Sequence, residues 1–381
     1  MSTIKVNNIE SSTGGGVAAK LASVNGGFIG TKNLIINGSC IVAQRGTSST
    51  QEGYKTIDRF TTVRSGNDNG PTMSQGNVAS GTTPYSLGFR KSFKVTNGNQ
   101  TSGAQASSTS MIVHRLEARD IATSGWNYTS SSSYITLSFW VKASVSQNYY
   151  FSVFTQDGTS YQYTMETGVL TADTWTKIIK TIPGNSNLQF DTDTVINSIA
   201  RGFDIQWAMF RGTNSTGTRP LNAWAALDAA TRVPNMTSTW YTTNDATFEI
   251  TGVQLEVGSV ATDFEHRSFA QELQLCKRYF QHAGASHWGV TEGSSNFRLQ
   301  VQLEPEMRTA PTVTVRTGGV FNTRYLGTDV NITNPTKGTT TIKQRTIWTS
   351  VDTTGRTTNN FIFGRSGQGA LGDYLACDAE L

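Results

Sequence analysis

The chain has 381 residues, of which 36% are hydrophobic and 15% charged, and both fractions are below those of typical globular proteins. Ser, Thr, Asn and Gly fill the deficit, which disfavours a helical bundle and favours many short strands joined by turns. Eight Trp, 12 Tyr and 18 Phe require burial or ligand contact, so they argue against a disordered chain. The net charge of +4 is scattered, and without a Lys/Arg cluster we do not expect a nucleic-acid partner.

The spacing of the cysteines and the hydropathy pattern argue against several further classes of protein. Cys40, Cys276 and Cys377 are widely separated and form no C-x-x-C pair, so we expect neither a zinc site nor a disulfide scaffold. No apolar stretch approaches membrane-spanning length, and we expect no membrane insertion. The opening Met1–Lys5 lacks the basic and apolar segments of a signal peptide, which predicts synthesis and folding in a cytoplasm.

Residues 1–32 form a distinct opening segment. Ile4, Val6 and Ile9 are its first large apolar residues, and the glycine runs at 14–16 and 26–27 follow them. So few apolar side chains cannot build a separate core, so the segment must pack on another copy of the chain or on another protein. We therefore predict an attachment and oligomerisation segment.

Residues 33–267 are predicted to be one β-rich module. In the run 135–142 the apolar residues Ile135, Leu137, Phe139 and Val141 alternate with polar ones, apart from Trp140, which indicates one buried face of a strand. Trp140 and Trp207 are interpreted as packing residues. The range 221–230 is predicted to contain one or two helical turns. The predicted strands are 58–64, 88–95, 107–115, 134–143, 149–155, 174–182, 203–210 and 247–255.

A helix and a second β-domain complete the predicted order. Ser268 and Gln271 have capping-box spacing, and Phe269, Leu273 and Cys276 recur at helical spacing toward Phe280, which predicts a linking helix over 268–280. Residues 281–381 are predicted to form a smaller distal β-domain with strands at 297–303, 339–348 and 359–363. Repeated strand and turn units without long helices favour a mainly β sandwich or jelly roll.

Three groups of residues, spread from position 33 to the end of the sequence, match a sequence pattern of one protein family, which is named below. The first comprises Asn33-Leu-Ile-Ile-Asn-Gly38, Gln44-Arg-Gly46 and Ile57-Asp-Arg-Phe60, with Leu137–Lys142 as a central strand. The second comprises Gly252, Val253, Gln254, Leu255, Glu256, Gly258, Ala261, Thr262, Phe264, Glu265 and Arg267, followed by Cys276, Arg278, Tyr279 and Phe280. The third comprises Met307, Arg308, 310–313 and Asp378-Ala-Glu-Leu381. Together they resemble a segment common in tail-fibre and receptor-binding proteins of tailed bacteriophages.

The resemblance implies a fold, partners and a location. It implies a jelly-roll module similar to carbohydrate-binding modules, carried on a phage tail or capsid appendage. It further implies a homotrimer that is made in the cytoplasm of the host bacterium. The trimer would attach to tail or adaptor proteins through residues 1–32, and as part of the virion tail fibre it would contact a host surface glycan. Similar jelly rolls hold a structural calcium, for which Glu249 or Asp263 are candidates, although no spacing requires one.

Sugar binding requires aromatic platforms beside polar groups, because an aromatic face packs on sugar C–H groups while the polar groups orient the hydroxyls. The candidate glycan-binding residues lie in polar loops and in the distal domain. They are Trp224, Trp240, Tyr241, Trp126 and Trp288.

The sequence favours binding over catalysis. Glycoside hydrolysis needs two carboxylates at a defined separation, and the available Asp191, Asp193, Glu249, Glu256 and Glu265 have ordinary surroundings. No metal-ligand or nucleophile motif is present, and no cofactor is expected. We predict a non-enzymatic tail fibre. The alternatives are a capsid fibre or tail adaptor without receptor contact, and a polysaccharide-degrading tailspike.

Overall fold

The computed structural model describes residues 23–24, 27–28, 32–191, 200–283, 286–292, 296–315, 320–325, 328–333, 341–352, 361–366 and 375–381. Side chains are described for 32–191, 200–283, 300–314, 343–347 and 375–381. The predicted attachment residues Ile4, Val6 and Ile9 lie outside the described residues, so the attachment segment remains a prediction.

Strands dominate the described chain. The first fourteen are β1 Ser23–Val24, β2 Gly27–Phe28, β3 Ser48–Ser49, β4 Phe60–Ser65, β5 Thr72–Asn77, β6 Lys91–Thr96, β7 Thr109–Glu117, β8 Tyr134–Ala143, β9 Asn148–Thr155, β10 Tyr161–Val169, β11 Thr176–Pro183, β12 Arg201–Arg211, β13 Trp224–Ala226 and β14 Thr247–Val257. The others are β15 Phe280–Ala283, β16 Ser286–Glu292, β17 Asn296–Gln302, β18 Thr312–Val315, β19 Val320–Tyr325, β20 Thr328–Thr333, β21 Thr341–Ile342, β22 Thr346–Asp352, β23 Phe361–Ser366 and β24 Leu375–Asp378. The helices are α1 Thr83–Ser86, α2 Ala118–Ala122, α3 Thr239–Thr242 and α4 Phe269–Lys277, with a 3-10 turn at Thr213–Ser215.

Two six-stranded antiparallel sheets form a jelly-roll β-sandwich, which confirms the predicted fold class. One sheet has the order β13-β10-β9-β12-β7-β4 and the other β11-β8-β14-β6-β5-β3. Their facing sides enclose one hydrophobic core, in which the Phe139 ring lies edge-on to Phe151 and Trp207 at centroid distances of 5.0 and 5.7 Å. After α4, the chain forms a three-stranded sheet, β15-β24-β18, and a seven-stranded sheet, β20-β19-β23-β16-β17-β22-β21.

Strand alternation located some elements well and missed others. The predicted strand at 134–143 has the bounds of β8. The helical turns predicted at 221–230 are wrong, because this segment contains β13, which pairs with β10 through Tyr163 and Trp224. Arg219 also donates to the carbonyl oxygens of Ala225 and Ala226 at 3.2 and 2.9 Å, which holds this backbone extended.

Helix α4 begins with the predicted capping box: the backbone N–H of Gln271 donates to Ser268 Oγ, and that of Ser268 donates to the Gln271 side chain. The predicted apolar face is wrong at Phe269, which is 57% exposed. The helix instead buries Glu272, whose carboxylate accepts from the backbone N–H of Asn37 and lies 3.5 Å from Arg267 Nη1. Polar anchoring, rather than a continuous apolar stripe, therefore sets the rotation of the helix.

The segment that follows Lys32 is joined to β14 by the side chain of Asn33. Its amide nitrogen donates to Val253 O at 3.1 Å, and its Oδ1 accepts from the backbone N–H groups of Leu255 and Ile35 at 3.0 Å each. The Arg267 guanidinium donates to the carbonyl oxygens of Asn33 and Ile35. Two parts of the chain that are more than 200 residues apart are thus joined by hydrogen bonds of a buried amide.

A second network joins the jelly roll to the segment 378–381. Arg59 is 1% exposed, pairs with Glu380, and stacks its guanidinium 3.4 Å from the ring centroid of Tyr279. The Tyr279 hydroxyl donates to Glu117 Oε1 at 2.6 Å, and Arg278 pairs with the same carboxylate at 3.1 Å. The charges in this network compensate one another away from water, so removing one partner leaves an uncompensated buried charge.

Replacing Glu380 tests this network. We expect Glu380→Gln to lower the free energy of unfolding by about 3 kcal/mol, because the Arg59 guanidinium would remain buried without a counter-charge. The control is Glu306→Gln, which removes the exposed pair with Arg345 (2.8 Å) and should cost less than about 1 kcal/mol. Urea denaturation of both variants measures the difference, and equal losses would contradict a stabilising role for the Arg59–Glu380 pair.

The buried His114 predicts how stability depends on pH. Burial lowers its pKa from 6.5 to about 3, the Arg59 charge acts in the same direction, and Nε2 lies 3.2 Å from Ile36 O. As the pH falls below 6.5, His114 binds a proton in the unfolded chain but stays neutral in the folded chain. The contribution of neutral His114 to stability is therefore fully present above pH 6.5 and is lost as the pH falls toward 3. Between those limits the loss approaches about 1.4 kcal/mol per pH unit.

His114→Gln isolates this effect. Burial raises the pKa of both Asp58 and Asp120 to about 6, but these groups titrate in wild type and variant alike, so they cancel in the comparison. Urea denaturation between pH 7 and pH 4 should show wild type losing stability faster than the variant. Parallel pH profiles would exclude His114 as the source.

Candidate functional site

A cavity of about 240 Å³ lies on the outer face of the β11-β8-β14-β6-β5-β3 sheet. This is below the roughly 300 Å³ at which pockets for drug-sized ligands begin, so the space suits a single sugar ring. Its lining combines aromatic rings, small polar groups and one lysine. The lining residues are Leu87, Phe89, Ser138, Trp140, Lys177, Gly252, Thr262, Asp263, Phe264 and His266.

Aromatic rings form the wall of this cavity. Phe89, Trp140 and Val78 make a hydrophobic cluster separate from the main core, and Phe264 packs against it. The rings of Phe89 and Phe264 meet edge to face at 4.9 Å, and His266 lies 5.1 Å from Phe89. Each ring is thereby held in place by its neighbours before any ligand binds. Binding would then cost less conformational entropy, because the side chains are already ordered.

A bulge in β14 makes room for this wall. The register between β14 and β8 shifts between Thr251 and Gln254, and Gly252 in that shift has φ +61°. A Cβ atom at Gly252 would lie 2.6 Å from Phe89 Cζ, so the ring approaches the backbone at the one position without a side chain. The glycine therefore sets the depth of the cavity.

The loop after β14 supplies the rim and is fixed to that strand by its own polar side chains. Glu256 accepts hydrogen bonds from the backbone N–H and the hydroxyl of Thr262 at 2.9 and 2.6 Å. Gln254 Oε1 accepts from the backbone N–H of Glu265 at 2.8 Å. Loop residues 262–265 are thus bound to β14, and Phe264 and His266 are held over the sheet.

Polar groups complete the cavity. Trp140, which is 9% exposed, brings its indole ring to the lining. Lys177 is exposed and Ser138 lies beside it in the lining. Asp263 contributes the one carboxylate among the lining residues. Ring faces flanked by a few donors and acceptors form a surface suited to a sugar, whose C–H groups and hydroxyls need different partners.

The structure corrects three of the expected aromatic platforms. Trp240 and Tyr241 are 0% exposed and Trp126 is 3% exposed, and all three belong to the core. Trp240 Nε1 donates to Thr247 O at 3.0 Å, and the Tyr241 hydroxyl donates to Gly66 O at 2.8 Å. These residues were expected to be exposed because they lie in polar stretches of the sequence. The loops fold inward instead and bury their aromatic residues.

The other two candidates have different outcomes. Trp224 is half-buried in β13, donates to Pro183 O at 2.7 Å and lies 5.3 Å from the Tyr163 ring, so it packs between strands. Trp288 lies in β16, and its side chain is outside the described residues. The structure therefore does not bring the five predicted residues together in one site.

The residues that line the cavity were missed, although alternation carried a signal for one of them. Because Ile135, Leu137, Phe139 and Val141 face the core, Trp140 must point to the opposite side of β8. A tryptophan on the outer face of a sheet is a candidate platform. The other rings could not be placed beside it from the sequence, since Phe89 comes from the segment between α1 and β6, and Phe264 and His266 come from the loop after β14.

The described residues contain neither a metal-binding cluster nor a membrane-spanning helix. No group of three His, Cys, Asp or Glu side chains among them could hold a metal ion, and Glu249, a candidate for calcium, is paired with Lys142 at 3.0 Å and with the Ser92 hydroxyl at 2.7 Å. None of the described helices is long and apolar enough to cross a membrane.

Comparisons with known proteins gave structural likenesses only. No protein-family model matches the chain, and no curated protein sequence matches it. The chain is similar to the enzymatically active domain of tailspike protein 4 of bacteriophage CBA120, with 11% identity and a TM-score of 0.31, over 59% of this chain and 21% of that one. It is also similar to the family 11 carbohydrate-binding module from Clostridium thermocellum in complex with a β-1,3-1,4-mixed-linked tetrasaccharide, with 11% identity and a TM-score of 0.26, over 57% of this chain and 98% of that one. At these TM-scores neither likeness bears on ligand or activity.

Gly252→Ala tests whether the glycine in the β14 bulge sets the depth of the cavity. The Cβ would clash with Phe89, and we expect a loss of stability of about 2 to 3 kcal/mol together with displacement of that ring. Gly168→Ala is the matched control, because Gly168 has φ +72° and nothing lies within 4 Å of its Cβ position. Backbone strain alone should cost about 1 kcal/mol there. Thermal unfolding and a crystal structure of the Gly252 variant provide the measurements, and equal losses would exclude the contact with Phe89.

Proposed function

We propose that this protein is a non-enzymatic attachment protein of a tailed bacteriophage, a tail fibre whose jelly roll binds a glycan on the host surface. The cavity walled by Phe89, Trp140 and Phe264 carries this proposal. Its chemistry is that of a sugar subsite, and the motif residues of the resemblance build its rim.

The proposed mode of binding follows from the geometry of the cavity. A sugar ring packs its C–H face against Trp140 and Phe264, and its hydroxyl groups are oriented by the indole N–H, Ser138 and Asp263. Lys177 adds a cation at the opening. Such a site binds weakly by itself, because few polar groups contact one ring.

The same cavity is poorly equipped for glycoside hydrolysis. That reaction uses two carboxyl groups, roughly 5 to 10 Å apart, on either side of the scissile bond. Asp263 is the one carboxylate in the lining, while Glu256 is bound to Thr262 and Glu249 to Lys142. This supports binding over cleavage as the function of the jelly roll.

Assembly would multiply a weak contact. We propose a homotrimer that attaches to tail or adaptor proteins through residues 1–32 and presents several copies of the cavity to one cell. Linked sites convert later binding events into intramolecular ones, so overall avidity can exceed the single-site affinity by a factor of about 10² or more.

Substitutions at the cavity test the proposal. We expect Lys177→Met and Phe264→Ala each to weaken binding to a bacterial glycan array about tenfold, equivalent to about 1.4 kcal/mol, because each removes one contact with the sugar. Lys180→Met is the control: it lies on the same strand β11, three residues further, and outside the lining.

Melting temperatures of all the variants should be recorded in parallel, since a binding loss explained by unfolding would not count. Wild-type binding by both cavity variants, or the release of new reducing ends from a bound polysaccharide, would overturn the proposal.

A further inference from the structure

A second cavity, of about 770 Å³, opens where the jelly roll meets the sheet β15-β24-β18. It lies between the jelly-roll segment 45–55 and one face of that sheet, and we call it the junction cleft. Its volume is within the range of roughly 300 to 1,000 Å³ that is typical of ligand pockets. Since the aromatic cavity measures about 240 Å³ and suits one sugar ring, the junction cleft has room for about three times as much.

The floor of the junction cleft is one face of the sheet β15-β24-β18. Side chains alternate between the two faces of a strand, and the register of the three strands places six of them on this face in two adjoining rows. The rows are Phe280, Asp378 and Thr312, and then His282, Ala376 and Thr314. The residues between them in sequence, Gln281, Cys377 and Val313, are buried on the opposite face. The small side chain of Ala376 leaves the middle of the floor open.

The wall of the cleft is the segment 45–55. Strand β3 within it pairs with β5, so the wall is anchored to the sandwich. The Tyr54 hydroxyl donates to Leu381 O at 3.4 Å, which holds the ring of this half-buried tyrosine at the back of the wall. Ser48, Gln51 and Lys55 are exposed and line the cleft. The wall therefore offers accessible polar groups on a fixed backbone.

Arg45 fixes the one carboxylate of the floor without closing access to it. Its Nη2 donates to Asp378 Oδ2 at 3.0 Å, and its guanidinium stacks 3.7 Å from the ring centroid of Phe280. The other oxygen of Asp378 accepts from the backbone N–H of Glu380 at 3.0 Å. The Asp378 side chain is nevertheless 43% exposed, whereas that of Arg45 is 8% exposed. Asp378 is thus an oriented acceptor that a ligand can reach, and Arg45 is its positioning residue.

The accessible groups of the cleft match the hydroxyl groups of sugars. A sugar hydroxyl both donates and accepts, and so do the side chains of Ser48, Thr312 and Thr314. Asp378 adds a pure acceptor, and Lys55 adds a pure donor. Short hydroxyl side chains also lose less conformational entropy on binding than long flexible ones. Such a lining favours a hydroxyl-rich ligand over an apolar one.

We propose that the junction cleft binds an oligosaccharide of about two to three sugar units, through hydrogen bonds to its hydroxyl groups. This rests on the proposed function, since it names the length of the glycan that the protein recognises. The sugar units lie over Ala376 along the two rows of the floor, where Asp378 and the two threonines contact them. Gln51 and Lys55 contact them from the wall. A bound oligosaccharide therefore links the jelly roll to the sheet β15-β24-β18.

Glycan fragments of graded length test the inference. The probes are fragments of one to four sugar units from each polysaccharide on a bacterial glycan array, and the full chain is applied to them. We expect wild type to bind a trisaccharide about tenfold more tightly than the matching monosaccharide, because the longer fragment contacts both rows of the floor. Ala376→Ile should abolish that gain, since the larger side chain fills the middle of the floor. Ala226→Ile, at an exposed position of β13 outside the cleft, should keep it.

A second variant and a second measurement locate the effect. Thr314→Val keeps the test valid if Ala376→Ile unfolds, because it removes only an exposed hydroxyl, and it should weaken trisaccharide binding about fivefold. With the trisaccharide bound, amide hydrogen exchange should slow within 48–55 and 312–314. Slowing at 262–266 alone would place the longer fragment at the aromatic cavity and overturn the inference.

The remaining outcomes separate this inference from the proposed function. Phe264→Ala should keep the gain with length, and unchanged monosaccharide binding by that variant would count against the aromatic cavity alone. Wild-type binding without any gain with length, or a gain retained by both Ala376→Ile and Thr314→Val, would overturn the inference alone. A changed sedimentation coefficient of Ala376→Ile would mark the cleft as an interface between copies of the chain and would overturn it as well.

Discussion

The buried guanidinium of Arg59 is the constraint on which the rest of the structure depends. Arg59 has φ +71°, is 1% exposed, and donates to Arg115 O at 2.6 Å while pairing with Glu380 and stacking on Tyr279. A buried cation of this kind is tolerable only when every partner is present. The segment 378–381 therefore contributes to the free energy of unfolding of the jelly roll. One set of compensated charges joins the sandwich to helix α4 and to the sheet β15-β24-β18.

This network gives the motif residues a physical meaning. Arg278 and Tyr279 bind Glu117, and Glu380 binds Arg59 and Arg45, so these matches to the phage pattern hold the architecture together. The segment 252–267 combines two roles. Its Gln254 and Glu256 side chains fix the loop to β14, and the same fixed loop presents Phe264 and His266 at the cavity. The matched positions thus build the scaffold and also line the cavity, where Phe264 is one of them and His266 lies between them.

Local pattern and long-range placement explain what the sequence could predict. The alternation of 135–141 and the spacing of Ser268 and Gln271 are local signals, and both gave the observed element. Strand β13 depends on pairing with β10, which no local signal within 221–230 contains. The burial of Trp240 depends likewise on partners far along the chain, such as Gln147, whose Oε1 accepts its backbone N–H at 3.0 Å. Site residues were the hardest to predict, because Phe89, Trp140 and Phe264 come from three separate segments that only the folded sheet brings together.

The sandwich also separates the cavity from the opposite outer face of the module. The two outer faces are separated by two sheets that pack about 10 Å apart, so the side chains that line the cavity do not touch those on the opposite face. Substitutions on two such distant faces should therefore add nearly independently in their effects on the free energy of unfolding. The shared core, where Phe139 contacts Trp207 at 5.7 Å, keeps the two faces in fixed relation.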